Sequence, residues 1–339
     1  MTDNVILSAQ NVSKQFGGRG DLVARGLARL GLARPRPVVR AVEDVSFDLY
    51  KGEVLGVVGE SGCGKSTLGR MVAGLLDPSE GQINGRAPDA NTGPLPMQMI
   101  FQDPFSSLNP RKRVSDLIGE APRVHRIVSP SEVNAYVADL MDRCGIDASY
   151  RDRFSHQFSG GQRQRIGIAR ALAVKPEILV CDEAVSALDV SIQAQIINLF
   201  MDLRDEFGLT YLFISHDLGV VEHIADRILV MYLGRIVESG PAEQIFNDPQ
   251  HPYTRALIDG VPRLDRRRTV YEPIKGDIPS PIDPPKGCHF HPRCPLAEAR
   301  CRTERPVLRD IAPGRQAACH LIETTAIEGE PKWPATKTG

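Results

Sequence analysis

Gly59-Glu60-Ser61-Gly62-Cys63-Gly64-Lys65-Ser66-Thr67 follows directly on the apolar run Val54-Leu55-Gly56-Val57-Val58. It opens onto a stretch that reads as a helix over 65–76, stopped by Asp77-Pro78. The segment fits G-x-x-x-x-G-K-[ST], and a strand before with a helix after is the context that gives this pattern its meaning. Glycines let the chain curl so that successive N–H groups converge on an anion, and the helix N-terminus adds its dipole. Gly59, Ser61, Gly62, Gly64, Lys65, Ser66 and Thr67 are therefore expected to form a phosphate-binding loop. Lys65 is assigned to the β- and γ-phosphates and the Ser66 hydroxyl to Mg²⁺. Cys63 fills a variable position and takes no catalytic role.

Downstream, Ile178-Leu179-Val180-Cys181 is a fully apolar strand that ends in Asp182 and Glu183. Taken alone, two acids at a strand end read as a solvated terminus. With a phosphate loop upstream, Asp182 is expected to hold Mg²⁺ through water and Glu183 to polarise an attacking water. Further β-type runs lie at 5–12, 44–49, 97–101 and 211–215, and 228–232 with 235–238 reads as a hairpin around Gly234. Ile192, Ile196, Leu199, Leu203 and Phe207 form the stripe of a long helix, and 160–174 reads as another. Ser129-Pro130-Ser131-Glu132 has the layout of a capping box ahead of an amphipathic helix. Buried strands alternating with helices imply an α/β protein with a parallel sheet, interrupted by a mainly helical insert at about 103–175.

The 339 residues carry 41 Lys+Arg against 42 Asp+Glu, a net charge of −1. That balance argues against a nucleic-acid partner. No apolar run approaches the roughly 18 residues needed to cross a bilayer, and the N-terminus lacks a secretory layout, so any membrane role is expected to be peripheral. The Gly-, Arg- and Pro-rich stretch 17–40 reads as an insertion between strands, either a solvated loop or a contact for anionic lipid heads. After about residue 246 periodicity fades and Pro and Arg rise. The expected division is therefore a domain over 1–245 and a separate small module over 246–339.

Ser159-Gly160-Gly161-Gln162, continuing through Arg163-Gln164-Arg165 into a helix, resembles the signature motif of ABC-family ATPases. A Ser hydroxyl, two glycine amides and a helix N-terminus make a second anion site. Because the first loop already grips the phosphates from its own side, a second grip suits a nucleotide held by another subunit. The resemblance implies that two such domains sandwich two ATP molecules, with Mg²⁺, head-to-tail. It also implies a P-loop NTPase (RecA-like) core with an antiparallel β subdomain, a helical ABC-specific subdomain and a small C-terminal extension. Gln102 sits where that family has its Q-loop, near the metal and the attacking water. Ser186-Ala187-Leu188-Asp189 looks like the D-loop that crosses the dimer interface. His216 matches the switch histidine on the γ-phosphate, and Phe16 lies where an aromatic ring stacks on adenine.

Phe101-Gln102-Asp103-Pro104-Phe105-Ser106-Ser107-Leu108-Asn109-Pro110-Arg111 is similar to the Q-loop segment of oligopeptide/dipeptide importer ATPases. So is the segment from Cys181 to Val190, and His251-Pro252-Tyr253-Thr254-Arg255 looks like the start of that family's C-terminal extension. The likeness runs from about Leu7 to Leu321. Lys65, Gln102, Ser159, Asp182, Glu183 and His216 are all present, which implies a hydrolytically competent subunit. The implied partners are a paralogous or identical ATPase subunit, two transmembrane permease subunits and, indirectly, a solute-binding protein. The implied location is the cytoplasmic face of the plasma membrane. The rival readings are a soluble ABC ATPase acting on DNA or ribosomes, and a regulatory subunit that does not hydrolyse.

Cys288, Cys294, Cys301 and Cys319 cluster near the end of the chain. Their spacings are wider than the usual zinc or ferredoxin patterns and select neither metal. The importer resemblance implies a four-iron four-sulfur cluster; zinc and free thiols are the alternatives. Any such site is expected to staple a Pro-rich module rather than to act as a redox centre.

Overall fold

The computed structural model describes residues 4–17, 37–85, 97–103, 108–261 and 274–324. The expectation for the basic insertion lies outside these residues except at its margins, as does the middle of the Q-loop segment (104–107).

Three runs of five buried residues form the centre of the molecule. They are β3 (Val54–Val58), β6 (Ile178–Asp182) and β7 (Thr210–Ile214), paired parallel in the order β3-β7-β6. Continuous apolar runs suit strands covered on both faces. Alternate side chains feed two cores: Leu179, Cys181, Tyr211 and Phe213 point into one, whereas Ile178, Val180, Leu212 and Ile214 point into the other. β5 (Met97–Ile100) extends the sheet beyond β6, and β8 (Arg227–Tyr232) pairs parallel with β3. β8 then turns back into β9 (Arg235–Pro241). Leu233 (φ 42°) and Gly234 (φ 80°) make the left-handed two-residue turn that such a hairpin demands.

A second, antiparallel sheet has the order β2-β1-β4, from β1 (Val5–Phe16), β2 (Val39–Tyr50) and β4 (Glu80–Gly85). Leu7, Val12, Val42 and Phe47 of this sheet pack with Leu68 and Met71 of α1 (Lys65–Val72) and with Leu55 and Val57 of β3. The helical insert contains α2 (Val114–Val124), α3 (Val133–Arg143) and α4 (Gly160–Leu172). Its apolar faces share the other core with α5 (Val190–Phe207) and α6 (Leu218–Ile224).

Two helix ends differ from the sequence expectation. α1 stops at Val72 because Gly74 turns left-handed (φ 69°) and the Leu75 N–H donates back to the Arg70 carbonyl. At 129–132 only half of the capping box forms. Glu132 accepts from the Ser129 N–H, but the helix starts at Val133.

The tail beyond 246 joins the main sheet. β11 (Arg315–Ala317) pairs with β9 and β10 (Arg309–Ala312) with β11, so the tail supplies the last two strands of an eight-stranded sheet. α7 (Ala242–Asn247) and α8 (Pro252–Asp259) lead into it. Tyr232 of β8, Tyr253 of α8 and Phe290 form a buried aromatic cluster with ring centroids 4.7–5.3 Å apart. The joint also holds a buried ion pair, Arg315 to Glu238, at 3.3 Å. Aromatic burial of this kind docks the Pro-rich segment against β8.

Candidate functional site

The phosphate loop joins the C-terminal end of β3 to α1. Gly59 (φ 149°), Gly62 (φ 78°) and Gly64 (φ 107°) all take left-handed conformations. Added Cβ atoms would stand 2.2 Å from the Met231 carbonyl oxygen at Gly59 and 2.1 Å from that of Ala41 at Gly64, so glycine is required at both. Among the described residues no side chain caps α1, which leaves its first-turn amides without a side-chain partner there. Lys65, 3% exposed, folds back so that its ammonium donates to the carbonyls of Gly59 (2.7 Å) and Glu60 (3.0 Å).

The ends of neighbouring strands complete the site. Ser66 Oγ donates to Asp182 Oδ1 at 2.7 Å. Burial pushes the Asp182 carboxyl above its ordinary value, against the hydrogen bond from Ser66. Gln102 Nε2 donates to Glu183 Oε2 at 2.7 Å, and His216 Nδ1 lies 3.3 Å from Glu183 Oε1. Glu183 sits at φ 50° with its N–H bound to the Ile214 carbonyl. A carboxylate presented at a strand end, with a neutral donor on one oxygen and an imidazole on the other, is equipped to orient a water.

Ser61, Gly62, Gly64, Lys65, Ser66, Thr67, Gln102 and Glu183 line one cleft of about 290 Å³ with Val39, Ala41 and Pro281. Phe16 is 42% exposed and pairs with the cleft residue Val39, one strand away from the lining. Gly160, Gly161 and Gln162 open α4, whose N-cap is Ser159. Ser159 and Gln162 form a capping box, with Gln162 N–H to Ser159 Oγ at 3.3 Å and Ser159 N–H to Gln162 Oε1 at 3.0 Å. None of these four lines the cleft, nor does Asp189, the exposed N-cap of α5. The chain thus gathers the phosphate-loop residues with Gln102 and Glu183 around one cleft and places Ser159, Gly160, Gly161, Gln162 and Asp189 outside it.

Residues 42–186 match the ABC transporter family, and residues 237–301 match the oligopeptide/dipeptide transporter C-terminal region. The oligopeptide transport ATP-binding protein AppF of Bacillus subtilis (strain 168) is 48% identical over 328 residues, 93% of this chain and 97% of that protein. The chain belongs to the ABC transporter ATP-binding proteins. The dipeptide transport ATP-binding protein DppF of Haemophilus influenzae is 49% identical over 302 residues, 86% of this chain and 91% of its own. Among solved structures, cbiO1 of Clostridium perfringens superimposes with a TM-score of 0.59 at 24% identity, over 73% of this chain and 92% of that one. Its likeness concerns the fold, an α/β P-loop cassette. Membership makes the chain an ATPase of the ABC type, binding ATP with Mg²⁺. The glycine-walled loop, the uncapped helix start and the Ser66–Asp182 pair fit that nucleotide and ion.

The four tail cysteines are free thiols. Cys288 N–H donates to the Cys301 carbonyl at 2.9 Å. Burial raises the Cys288 thiol, raises Cys294 to about 11 and raises Cys319 to about 12, and each of these three feels the charge of other members of the set. Among the described residues no three His, Cys, Asp or Glu side chains converge on one metal ion. Zinc thiolates bond at about 2.3 Å from a shared ion; the thiols as placed do not fit that compact geometry. Sequence reading also missed Pro281, Tyr253 and Arg293. They come to the phosphate loop or its cleft only through tertiary packing, and the motif that contains Tyr253 does not reveal that contact.

Proposed function

We propose that this ABC ATPase powers a bacterial importer of oligopeptides, dipeptides or related small solutes. It works at the inner face of the membrane with two permease subunits and, through them, a solute-binding protein. Among the described residues no helix is long and apolar enough to cross a membrane, which suits a subunit that docks on separate spanning partners. Matches to both the cassette and the peptide-transporter C-terminal region support the solute class.

The single observation that carries the hydrolytic reading is the meeting of Gln102, Glu183 and His216, of which the first two line the phosphate-loop cleft. In this reading the loop amides and Lys65 hold the phosphates, and Ser66, Asp182 and Gln102 hold Mg²⁺. The bound ion neutralises charge on the phosphate oxygens. Glu183 accepts a hydrogen bond from water and aligns it with the γ-phosphorus, while His216 steadies both the carboxylate and the γ-phosphate. Phe16 stacks on the base. Ser159, Gly160, Gly161, Gln162 and Asp189 serve the nucleotide of a partner cassette, either a paralogue or a second copy. Their position outside the cleft, with Ser159, Gln162 and Asp189 exposed, supports that role.

The test is Ser159→Arg. It should leave ATP binding to the isolated chain within about threefold and abolish ATP-driven pairing, with hydrolysis falling at least a hundredfold, on the order of a lost transition-state clamp. Full turnover in this variant rejects the two-subunit site.

We further propose that Cys288, Cys294, Cys301 and Cys319 bind a four-iron four-sulfur cluster with a structural role. The grouping of four free thiols, with Cys288, Cys294 and Cys319 each within electrostatic reach of others of the set, supports this, and no hydrolytic step depends on it. Protein purified anaerobically should be coloured and contain iron; colourless, iron-free protein rejects it.

A further inference from the structure

Glu60, the second residue of the phosphate loop, has every polar group engaged from outside the loop or by Lys65. Its N–H donates to Tyr253 Oη at 2.9 Å. Its carbonyl accepts from the Lys65 ammonium at 3.0 Å. Its carboxylate takes a two-pronged bond from Arg293, Nη1 to Oε2 at 2.6 Å and Nη2 to Oε1 at 2.9 Å. Tyr253 is fully buried and the Arg293 side chain is 4% exposed. Both belong to the tail, and a third tail residue, Pro281, lines the cleft after accepting the Arg40 N–H at 3.2 Å.

A forked guanidinium–carboxylate pair fixes orientation as well as distance. A buried pair that loses one member leaves an uncompensated charge. Here the stranded charge would be a carboxylate in the very loop that receives phosphates.

We propose that Arg293 and Tyr253 are positioning residues for ATP binding: they hold Glu60, and through its carbonyl Lys65, in the geometry that accepts the phosphates. The C-terminal segment is then part of the nucleotide site. This rests on the assignment of the cleft to ATP, and Lys65→Ala keeps the two questions apart.

The experiment measures binding of a non-hydrolysable ATP analogue with Mg²⁺ to the full chain, alongside KM and kcat for ATP and thermal stability. Arg293→Met should weaken analogue binding on the order of tenfold through the unpaired carboxylate. KM should rise by a similar factor with kcat changed less than about threefold, the pattern of lost uniform binding. Adding Glu60→Gln to Arg293→Met should restore affinity to within about threefold, and the KM shift at nearly constant kcat, in protein that stays folded at the assay temperature, is what a merely structural role for Arg293 would not produce.

Wild-type affinity in Arg293→Met, or no rescue by Glu60→Gln, overturns the proposal. If Arg293→Met does not fold, Arg293→Lys and Tyr253→Phe take its place. Each should weaken binding about threefold, and wild-type affinity in both overturns the proposal. Undiminished analogue binding in Lys65→Ala would instead overturn the assignment of the cleft itself.

Discussion

Glu183 carries a left-handed backbone (φ 50°) that a non-glycine residue adopts only when its surroundings hold it. Ile214 takes its N–H, and the Ser186 hydroxyl donates to its carbonyl at 2.9 Å. The carboxylate is thereby aimed back at Gln102 and His216. Glu183→Gln keeps the shape and one acceptor oxygen but removes the charge that polarises water. ATP binding should survive and steady-state phosphate release should fall by roughly 10²–10⁴, the usual worth of a positioned base. Gly59→Ala tests the loop. Its Cβ would meet the Met231 carbonyl oxygen at 2.2 Å, so the loop must shift, and nucleotide affinity should drop at least tenfold on the order of the strain imposed.

At the level of single elements, α8 depends on the protonation of His251. Its Nδ1 accepts the Tyr253 N–H at 3.0 Å as the helix N-cap, which only a neutral ring can do. Full burial lowers its pKa from 6.5 to about 3. The neutral form is the folded one, so this stability is present above pH 6.5 and is lost as pH falls from there toward about 3. Lowering pH from about 7 to about 5.5 should cost about 1 kcal/mol through this residue alone. His251→Asn, which retains a capping acceptor, should flatten the pH dependence of urea denaturation by that amount.

The elements most legible in the sequence were those whose apolar runs feed two cores at once, such as Ile178–Cys181 and Tyr211–Ile214. Lys65, Ser66, Asp182 and Glu183 were legible for a related reason: they sit where a buried strand ends or a helix begins. Helix ends were less so, because the left-handed turn at Gly74 overrode the stop expected at Asp77. β11 was illegible. It is three residues long, and its pairing with β9 spans more than seventy positions of sequence.

Across the whole molecule, the joint between cassette and tail rests on Glu238, which is fully buried. It accepts the Gln250 and His251 N–H groups, both at 2.9 Å, and faces Arg315. Arg315→Met would strand that carboxylate and should cost about 3 kcal/mol, read as a lower denaturant midpoint at unchanged slope. Arg293 and Glu60 lie 233 positions apart, so no motif reveals their contact. The aromatic cluster of Tyr232, Tyr253 and Phe290 is equally a product of folding at a distance.

The placement of β11 beside β9 also decides what a shortened version of this polypeptide would do. Stripped of its final strands, β9 would offer the open amides and carbonyls around Ser239 to the solvent, a ready template for a neighbouring molecule to zip onto. Fragments ending near residue 260 should therefore self-associate into insoluble assemblies as their concentration rises, while full-length material stays dispersed.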